Sequence, residues 1–499
     1  MRRHWWLLSL LWTTVEAQKC DGGNTPPLEI RGKHFFNSET GEYFPVKGIA
    51  YYPRPNEGIN NVNNFDFYHD EWKDVWERDI PFLEAANVNL IRIYAVDPGK
   101  DHDGFFCALQ KAGIYVMVGL AAGCLNCAIT KDPVPDCYPA ELRTRGEYII
   151  NVFAKYDNVL GFSAGNEIGL LPGVPGMPEV NAGCQKKFIR DMREYIAGCD
   201  TIRDIPVGLS LADLDLDSKL SYYSCRSDPS DIYENTDWIG LNQYRHCDAS
   251  ATDPSALGGY QRLRETFQEN QVPCPMIFTE FGCLNAGYPT VSGFEGQRTF
   301  LQVETMFLPE FLEEVTGGIV FEYSTERANA LSDWPFREHD PGRYGIGYFS
   351  PEGCDDIDVP CNFIPFPQFN NLAQRYGAVS VTANDLPATD GRPAVTQCPA
   401  QFPPLSDFVW PSDSVDAFVC PEALTLTCPL EPGCAPTPGP QPTAAPTRTP
   451  APSGIARTAL PTGGLPELEP LPSLVGSSAW RLGATWLFVS GGAILVLVM

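Results

Sequence analysis

Two short strings in this chain put a carboxylate where it could do chemistry: Ala164-Gly165-Asn166-Glu167 and Phe278-Thr279-Glu280-Phe281-Gly282. Each closes a run of apolar residues, so each glutamate stands at the end of a buried segment. Either one alone would read as a solvated rim carboxylate. A pair facing one cleft can break an acetal. One acid protonates the leaving oxygen while the other carboxylate attacks the anomeric carbon from the opposite side. At about 5–5.5 Å apart such a pair forms a covalent glycosyl-enzyme and retains configuration, whereas a wider gap admits water and inverts. Asn166, beside Glu167, is placed to hydrogen-bond a sugar 2-hydroxyl. Tyr94, Tyr244 and Tyr323 end three other apolar runs, Ile91-Arg92-Ile93-Tyr94, Leu241-Asn242-Gln243-Tyr244 and Phe321-Glu322-Tyr323. There a hydroxyl could hold a carboxylate ionised, or a ring could stack on a sugar face; packing with the hydroxyl turned to water is the plainer alternative.

These residues need a scaffold that brings distant strand ends together. Eight short, β-branched apolar runs lie at residues 43–50, 88–96, 114–120, 159–165, 205–210, 237–243, 275–281 and 317–323, with helical periodicity between several of them, as at 79–86 and 186–196. Near-continuous apolar strands alternating with helices are what a parallel sheet covered on both faces requires. Eight units predict an α/β fold, a (β/α)8 TIM barrel, in which residues at the carboxyl ends of the strands face the mouth. Glu167 ends the fourth run and Glu280 the seventh, so both point into one cleft. No Gly-x-Gly-x-x-Gly follows the first strand, which counts against a dinucleotide-binding fold.

The two ends carry their own signals. Arg2 and Arg3, an apolar run from Trp5 to Trp12, and Val15 and Ala17 predict a signal peptide over 1–17. At the other end, small residues from Gly476, a short spacer and an uncharged apolar tail predict a glycosylphosphatidylinositol attachment signal over 476–499, with Gly476 as the anchor residue. Between them we expect a catalytic domain over 18–398, a short Cys-containing extension over 399–434, and a Pro/Thr/Ala/Gly-rich stalk over 435–475 that cannot bury enough surface to fold. Seventeen cysteines in a secreted chain imply disulfides, with at least one thiol left over. A formal net charge of −27 argues against nucleic acid or an anionic surface as partner and is compatible with a neutral polysaccharide. The six histidines form no ligand-like cluster and there is no phosphate loop, so neither a metal nor a cofactor is expected.

In order along the chain stand Phe35-Phe36, Gly48-Ile49-Ala50-Tyr51, Arg78-Asp79-Ile80-Pro81, Arg92-Ile93-Tyr94-Ala95, Asn158-Val159-Leu160-Gly161-Phe162, Ala164-Gly165-Asn166-Glu167, Ile205-Pro206-Val207-Gly208, Thr279-Glu280-Phe281-Gly282-Cys283 and Gly317-Gly318-Ile319-Val320. The series resembles the fungal β-1,3-glucanosyltransferases of glycoside hydrolase family 72. That resemblance implies Glu167 as acid/base and Glu280 as nucleophile, β-1,3-glucan chains as donor and acceptor, a lipid anchor in the outer leaflet of the plasma membrane, and disulfides Cys247–Cys283 and Cys225–Cys398. The chain departs from the family's pattern in several places. Tyr52 stands where Gln is usual and Gly119 where Asp is usual, both at expected sugar contacts. Trp76 replaces a cysteine, Phe105 stands at its partner's place with Cys107 nearby, and residues 329–345 look inserted. Cys124, Cys127 and Cys137 are additional, and the full C-terminal cysteine-rich module of some members is not recognisable. A hydrolysing endo-glycosidase of the same clan shares both glutamates, and a wall-binding barrel without activity is a third reading.

Overall fold

A computed structural model describes residues 25–56, 65–168, 173–174, 177–245, 253–282, 298–327, 334, 344–387, 394–422, 426 and 428, with the backbone of 488–489 and 492–493. The chain opens with an antiparallel hairpin, β1 (Leu28–Arg31) and β2 (His34–Asn37). Then follow β3 (Val46–Ala50), α1 (Lys73–Ala85), β4 (Leu90–Ile93), α2 (Asp103–Lys111), β5 (Tyr115–Gly119), α3 (Ala140–Phe153), β6 (Val159–Asn166) and α4 (Ala182–Gly198). The second half runs β7 (Val207–Ala212), α5 (Leu216–Ser224), β8 (Trp238–Asn242), α6 (Gly258–Glu269), β9 (Met276–Phe281), α7 (Leu301–Met306), α8 (Pro309–Leu312) and β10 (Val315–Val320). β11 (Gly347–Ser350) and β12 (Asn362–Pro365) form a second hairpin, and α9 (Pro367–Ala378) follows it.

Strands β3 to β10 close into one barrel, every neighbouring pair parallel, with β10 returning to β3 in the register Gly317↔Val46 to Val320↔Ile49. This is the (β/α)8 barrel, and each of the eight apolar runs contains or overlaps one of its strands. The last run differs most: β10 begins at Val315 and ends at Val320, so residues 321–323 have already left the ladder. The helix expected over 79–86 begins earlier, at Lys73, because Val75, Trp76, Asp79 and Leu83 share its buried face. Inside the barrel, Val46, Leu90, Met117, Leu160, Trp238, Ile277 and Ile319 form a core that Leu28 and Phe35 of the N-terminal hairpin join. The Trp238 indole takes the space at Gly208, where a Cβ would lie 2.2 Å from its Cδ2, so only glycine fits there.

The segment expected as an extension lies across the outer helices. Cys225–Cys398, Cys199–Cys420 and Cys107–Cys428 fasten it. Phe418 donates its backbone N–H to Glu147 of α3 and stacks on Tyr148 at 5.3 Å, and Asp413 pairs with Lys187 of α4 at 2.7 Å. The additional cysteines pair as Cys124–Cys127 and Cys137–Cys184. Trp76 and Phe105, at the places of the family's two cysteines, meet edge to face at 5.8 Å and are fully buried, so an aromatic contact stands where the link would be. Cys247 and Cys283 lie outside the described residues. Residues 435–499 form a separate unit, described only as Phe488–Val489 paired with Gly492–Ala493; Gly476 and residues 1–17 also lie outside the description. No helix among the described residues is long and apolar enough to cross a membrane.

Candidate active site

Strand ends from four parts of the barrel meet around Glu167 and Glu280. Glu167 follows β6 with φ +51°, a left-handed conformation that costs a non-glycine residue energy, and its N–H is held by the Ser210 carbonyl of β7 at 2.9 Å. Its side chain is held by Asn242, at the end of β8, whose Nδ2 donates to Glu167 Oε1 at 3.1 Å and to Asn166 Oδ1 at 3.0 Å. Thr279 Oγ1 in turn donates to Asn242 Oδ1 at 2.8 Å, which fixes the amide's orientation. Asn166 Oδ1 also accepts from Arg92 Nη2 at 2.6 Å. With that oxygen taken twice, Nδ2 is the group Asn166 has to offer a sugar hydroxyl.

Glu280 is nearly buried, at 6% exposure, and accepts three hydrogen bonds. Arg92 Nη1 and the Tyr94 hydroxyl reach Oε1, each at 3.0 Å, and the Tyr244 hydroxyl reaches Oε2 at 2.7 Å. Every one of these partners is a donor, an arrangement that suits a carboxylate accepting on both oxygens. Burial first, and the charge of Glu280 in addition, hold both phenols well above their ordinary value, with the Arg92 guanidinium opposing at Tyr94. Both tyrosines therefore keep the protons they donate. Arg92 itself is 2% exposed, with its guanidinium 4.6 Å from the Tyr94 ring centroid.

The two carboxyls differ in what surrounds them. Burial, and next the charge of Glu280, push Glu167 up to about 7, against the Asn242 hydrogen bond and the cations Arg92 and Lys219. A group at that value is an acid able to give its proton near neutrality and take it back. Beside it stands a carboxylate fixed by three donors. That pairing of unlike environments is the division of labour a two-step displacement at an acetal needs.

The sequence reading placed Asn166, Tyr94 and Tyr244 at this site, and the structure brings all three to the two glutamates. Tyr323 requires a correction. It is 1% exposed, its hydroxyl donates to Asp79 at 2.9 Å, and its ring stacks on Phe363 at 4.3 Å, so it faces the packing behind the barrel and not the cleft. Tyr52 is also corrected as a sugar contact. It is 5% exposed and stands one layer back, edge-on to Tyr94 at 5.0 Å. Gly119 is required by the backbone, since a Cβ there would lie 2.1 Å from the Tyr94 carbonyl oxygen. Sequence reasoning quoted Arg92 and Asn242 only as neighbours. An arginine inside an apolar strand was the available signal, because a buried charge demands a partner. It also missed the half-buried rings of Phe321 and Tyr344, which surround Tyr244 at 6.3 and 5.4 Å and lie 5.6 Å from each other. Tyr344 falls inside the stretch read as an insertion.

Fold and site together define a (β/α)8 barrel carrying a carboxylate pair at the ends of its fourth and seventh strands. The chain belongs to the glucanosyltransferase family, glycoside hydrolase family 72, whose model matches residues 17–331. It is 32% identical to the 1,3-beta-glucanosyltransferase GAS5 of Saccharomyces cerevisiae over 320 residues, 63% of this chain and 59% of that protein. Against the 1,3-beta-glucanosyltransferase gas1 of Schizosaccharomyces pombe it is 32% identical over 326 residues, 62% of this chain and 54% of that one. The chain thus spans less than two thirds of the length of these relatives. Among solved structures, Saccharomyces cerevisiae Gas2p in complex with laminaripentaose matches with TM-score 0.57 and 26% identity, covering 75% of this chain and 74% of Gas2p.

Proposed function

We propose that this chain is a retaining β-1,3-glucanosyltransferase that cuts β-1,3-glucan and re-joins the cut end to another glucan chain. The observation that carries the reading is the unlike pair itself: Glu167, pushed up to about 7, beside Glu280 held by three donors. Glu280 attacks the anomeric carbon while Glu167 gives its proton to the departing oxygen, and the reducing-end fragment leaves. Asn166 Nδ2 binds the sugar 2-hydroxyl as positive charge develops on the ring. The rings of Tyr244, Phe321 and Tyr344 offer faces to the glucan beyond it. Glu167, now ionised, takes the proton of an acceptor 3-hydroxyl, which attacks the glucosyl-enzyme and frees Glu280. Membership of the family and the laminaripentaose bound to Gas2p support β-1,3-glucan as donor and acceptor.

We also read residues 1–17 as a cleaved leader and Gly476 as the lipid-anchor residue at the cell surface, with 435–475 as a stalk following the catalytic domain 18–398 and its extension 399–434. Mass spectrometry of products from reduced laminaripentaose tests the central claim. Products longer than the starting oligosaccharide are expected from the wild-type chain and none from Glu280→Gln. Only shorter products would make the protein a β-1,3-glucanase, and a fully active Glu280→Gln variant would sink the assignment of the nucleophile.

A further inference from the structure

Behind the nucleophile's support lies a second charged cluster that the reaction as written does not use. Arg54, on the segment leaving β3, is 9% exposed and lies over the Tyr52 ring at 4.2 Å. Its Nη2 pairs with Glu326, and with Glu322 at 3.3 Å, while its backbone N–H reaches Ser324 Oγ at 3.4 Å. All three partners come from the segment leaving β10. Arg54 therefore ties the exits of the first and last barrel strands together, and Tyr52 is clasped where they meet. Tyr52 in turn stands edge-on to Tyr94, at 5.0 Å and 85°, and Tyr94 donates to Glu280.

We propose that Arg54 is a positioning residue for Glu280, acting through Tyr52 and Tyr94. The inference rests on the assignment of Glu280 as nucleophile. A guanidinium over a desolvated aromatic face attracts the ring and holds it in place. Tyr94 is then held from two sides, by Arg92 over its face and by the Tyr52 ring at its edge, so its hydroxyl has one position on Glu280 Oε1. The cluster is built around this task at some electrostatic cost. One guanidinium serves two carboxylates, and Arg54 Nε is buried with no hydrogen-bond partner among the described residues. Burial, and next the charge of Glu326, drive Glu322 well above the ordinary carboxyl value.

Steady-state kinetics of the full chain on laminaripentaose test the proposal with four variants, Arg54→Met, Tyr52→Leu, the double substitution, and Arg54→Lys. Displacing a nucleophile without touching substrate binding lowers kcat and spares KM, so each single variant is expected to lose about tenfold in kcat with KM within about twofold. Because the two side chains act in series, the double variant loses no more than either single one. Arg54→Lys keeps the cation over Tyr52 and recovers most of the loss. Multiplicative losses in the double variant, a change in KM alone, or Arg54→Met matching an active wild type would overturn the inference and leave the nucleophile assignment standing. A folded wild-type chain inactive on the glucan would overturn both.

Discussion

The floor and the wall of this cleft are built on opposite principles. On the floor, Arg92, Asn166, Asn242, Thr279 and Glu280 satisfy one another, and both carboxylate oxygens of Glu280 and Oε1 of Glu167 have donors within 3.1 Å. On the wall, one arginine is shared by Glu322 and Glu326, and its Nε is buried without a partner among the described residues. A fully connected buried network has one low-energy arrangement, which is what atoms doing chemistry need. The wall is one of the places where this chain departs from the family's pattern, at Tyr52. Tyr52 meets Glu280 at second hand, through the Tyr94 ring that it packs against edge-on.

Parallel substitutions at the two arginines put that contrast to its hardest test. Arg92 binds Glu280 with one nitrogen and Asn166 with another, a fork that a lysine's single ammonium cannot reproduce. Losing one partner of a buried charge costs about 3–5 kcal/mol, so Arg92→Lys is expected to lose about 10²- to 10⁴-fold in kcat/KM. Arg54→Lys is expected to stay far closer to wild type. If the two lysine variants were equally impaired, the floor and wall would be one network and the distinction would fall.

The next effect in size separates the two tyrosines from the glutamate they hold. A hydrogen bond to a charged group contributes about 1.5–3 kcal/mol, so Tyr94→Phe and Tyr244→Phe should each lose about 10- to 100-fold in kcat. Tyr323→Phe, which breaks a bond to Asp79 well behind the cleft, should change the melting temperature and leave kcat of the folded enzyme alone. A Tyr323 variant as inactive as the Tyr94 one would contradict the placement of that residue.

What the sequence could and could not say follows from the same geometry. Strand-long apolar runs made the barrel legible, and the end of a barrel strand is the one position whose facing is settled by architecture. Glu167 and Glu280 sit at such positions. Tyr323 does not: β10 ends at Val320, and once a chain leaves the ladder, alternation no longer says which way a side chain turns. Arg92 and Asn242 were visible as residues but not as a hub, because their partners come from β6 and β9, far off in the chain. The pairing of Cys107 with Cys428 was equally hidden, since it depends on the path of a C-terminal segment that has almost no periodicity of its own.

The floor's asymmetry should also show in the pH profile. In the reaction proposed above, the first step needs Glu167 protonated, and burial with Glu280's charge puts that group at about 7. kcat/KM is therefore expected to fall on the alkaline side with an apparent value near 7, losing about tenfold per pH unit beyond it. A profile flat to pH 9 would show that some other group delivers the proton.

The smallest effect isolates the same group without any turnover. Glu167 holds its proton more tightly in the folded chain, at about 7, than at its ordinary value of 4.5. The folded state therefore binds more protons than the unfolded one between those values, and stability falls as pH rises through that window. The contribution is fully present below about 4.5 and gone above about 7, where a buried charge has to be tolerated. Glutamine at this position has no proton to lose. Glu167→Gln and wild type should thus melt at similar temperatures near pH 4.5, and the variant should melt a few degrees higher at pH 8, although it is expected to be inactive. Thermal melts across that range read the difference directly, in the absence of substrate. Parallel curves at every pH would mean that Glu167 titrates as an ordinary exposed carboxylate, and the floor would lose the asymmetry that distinguishes its acid from its nucleophile.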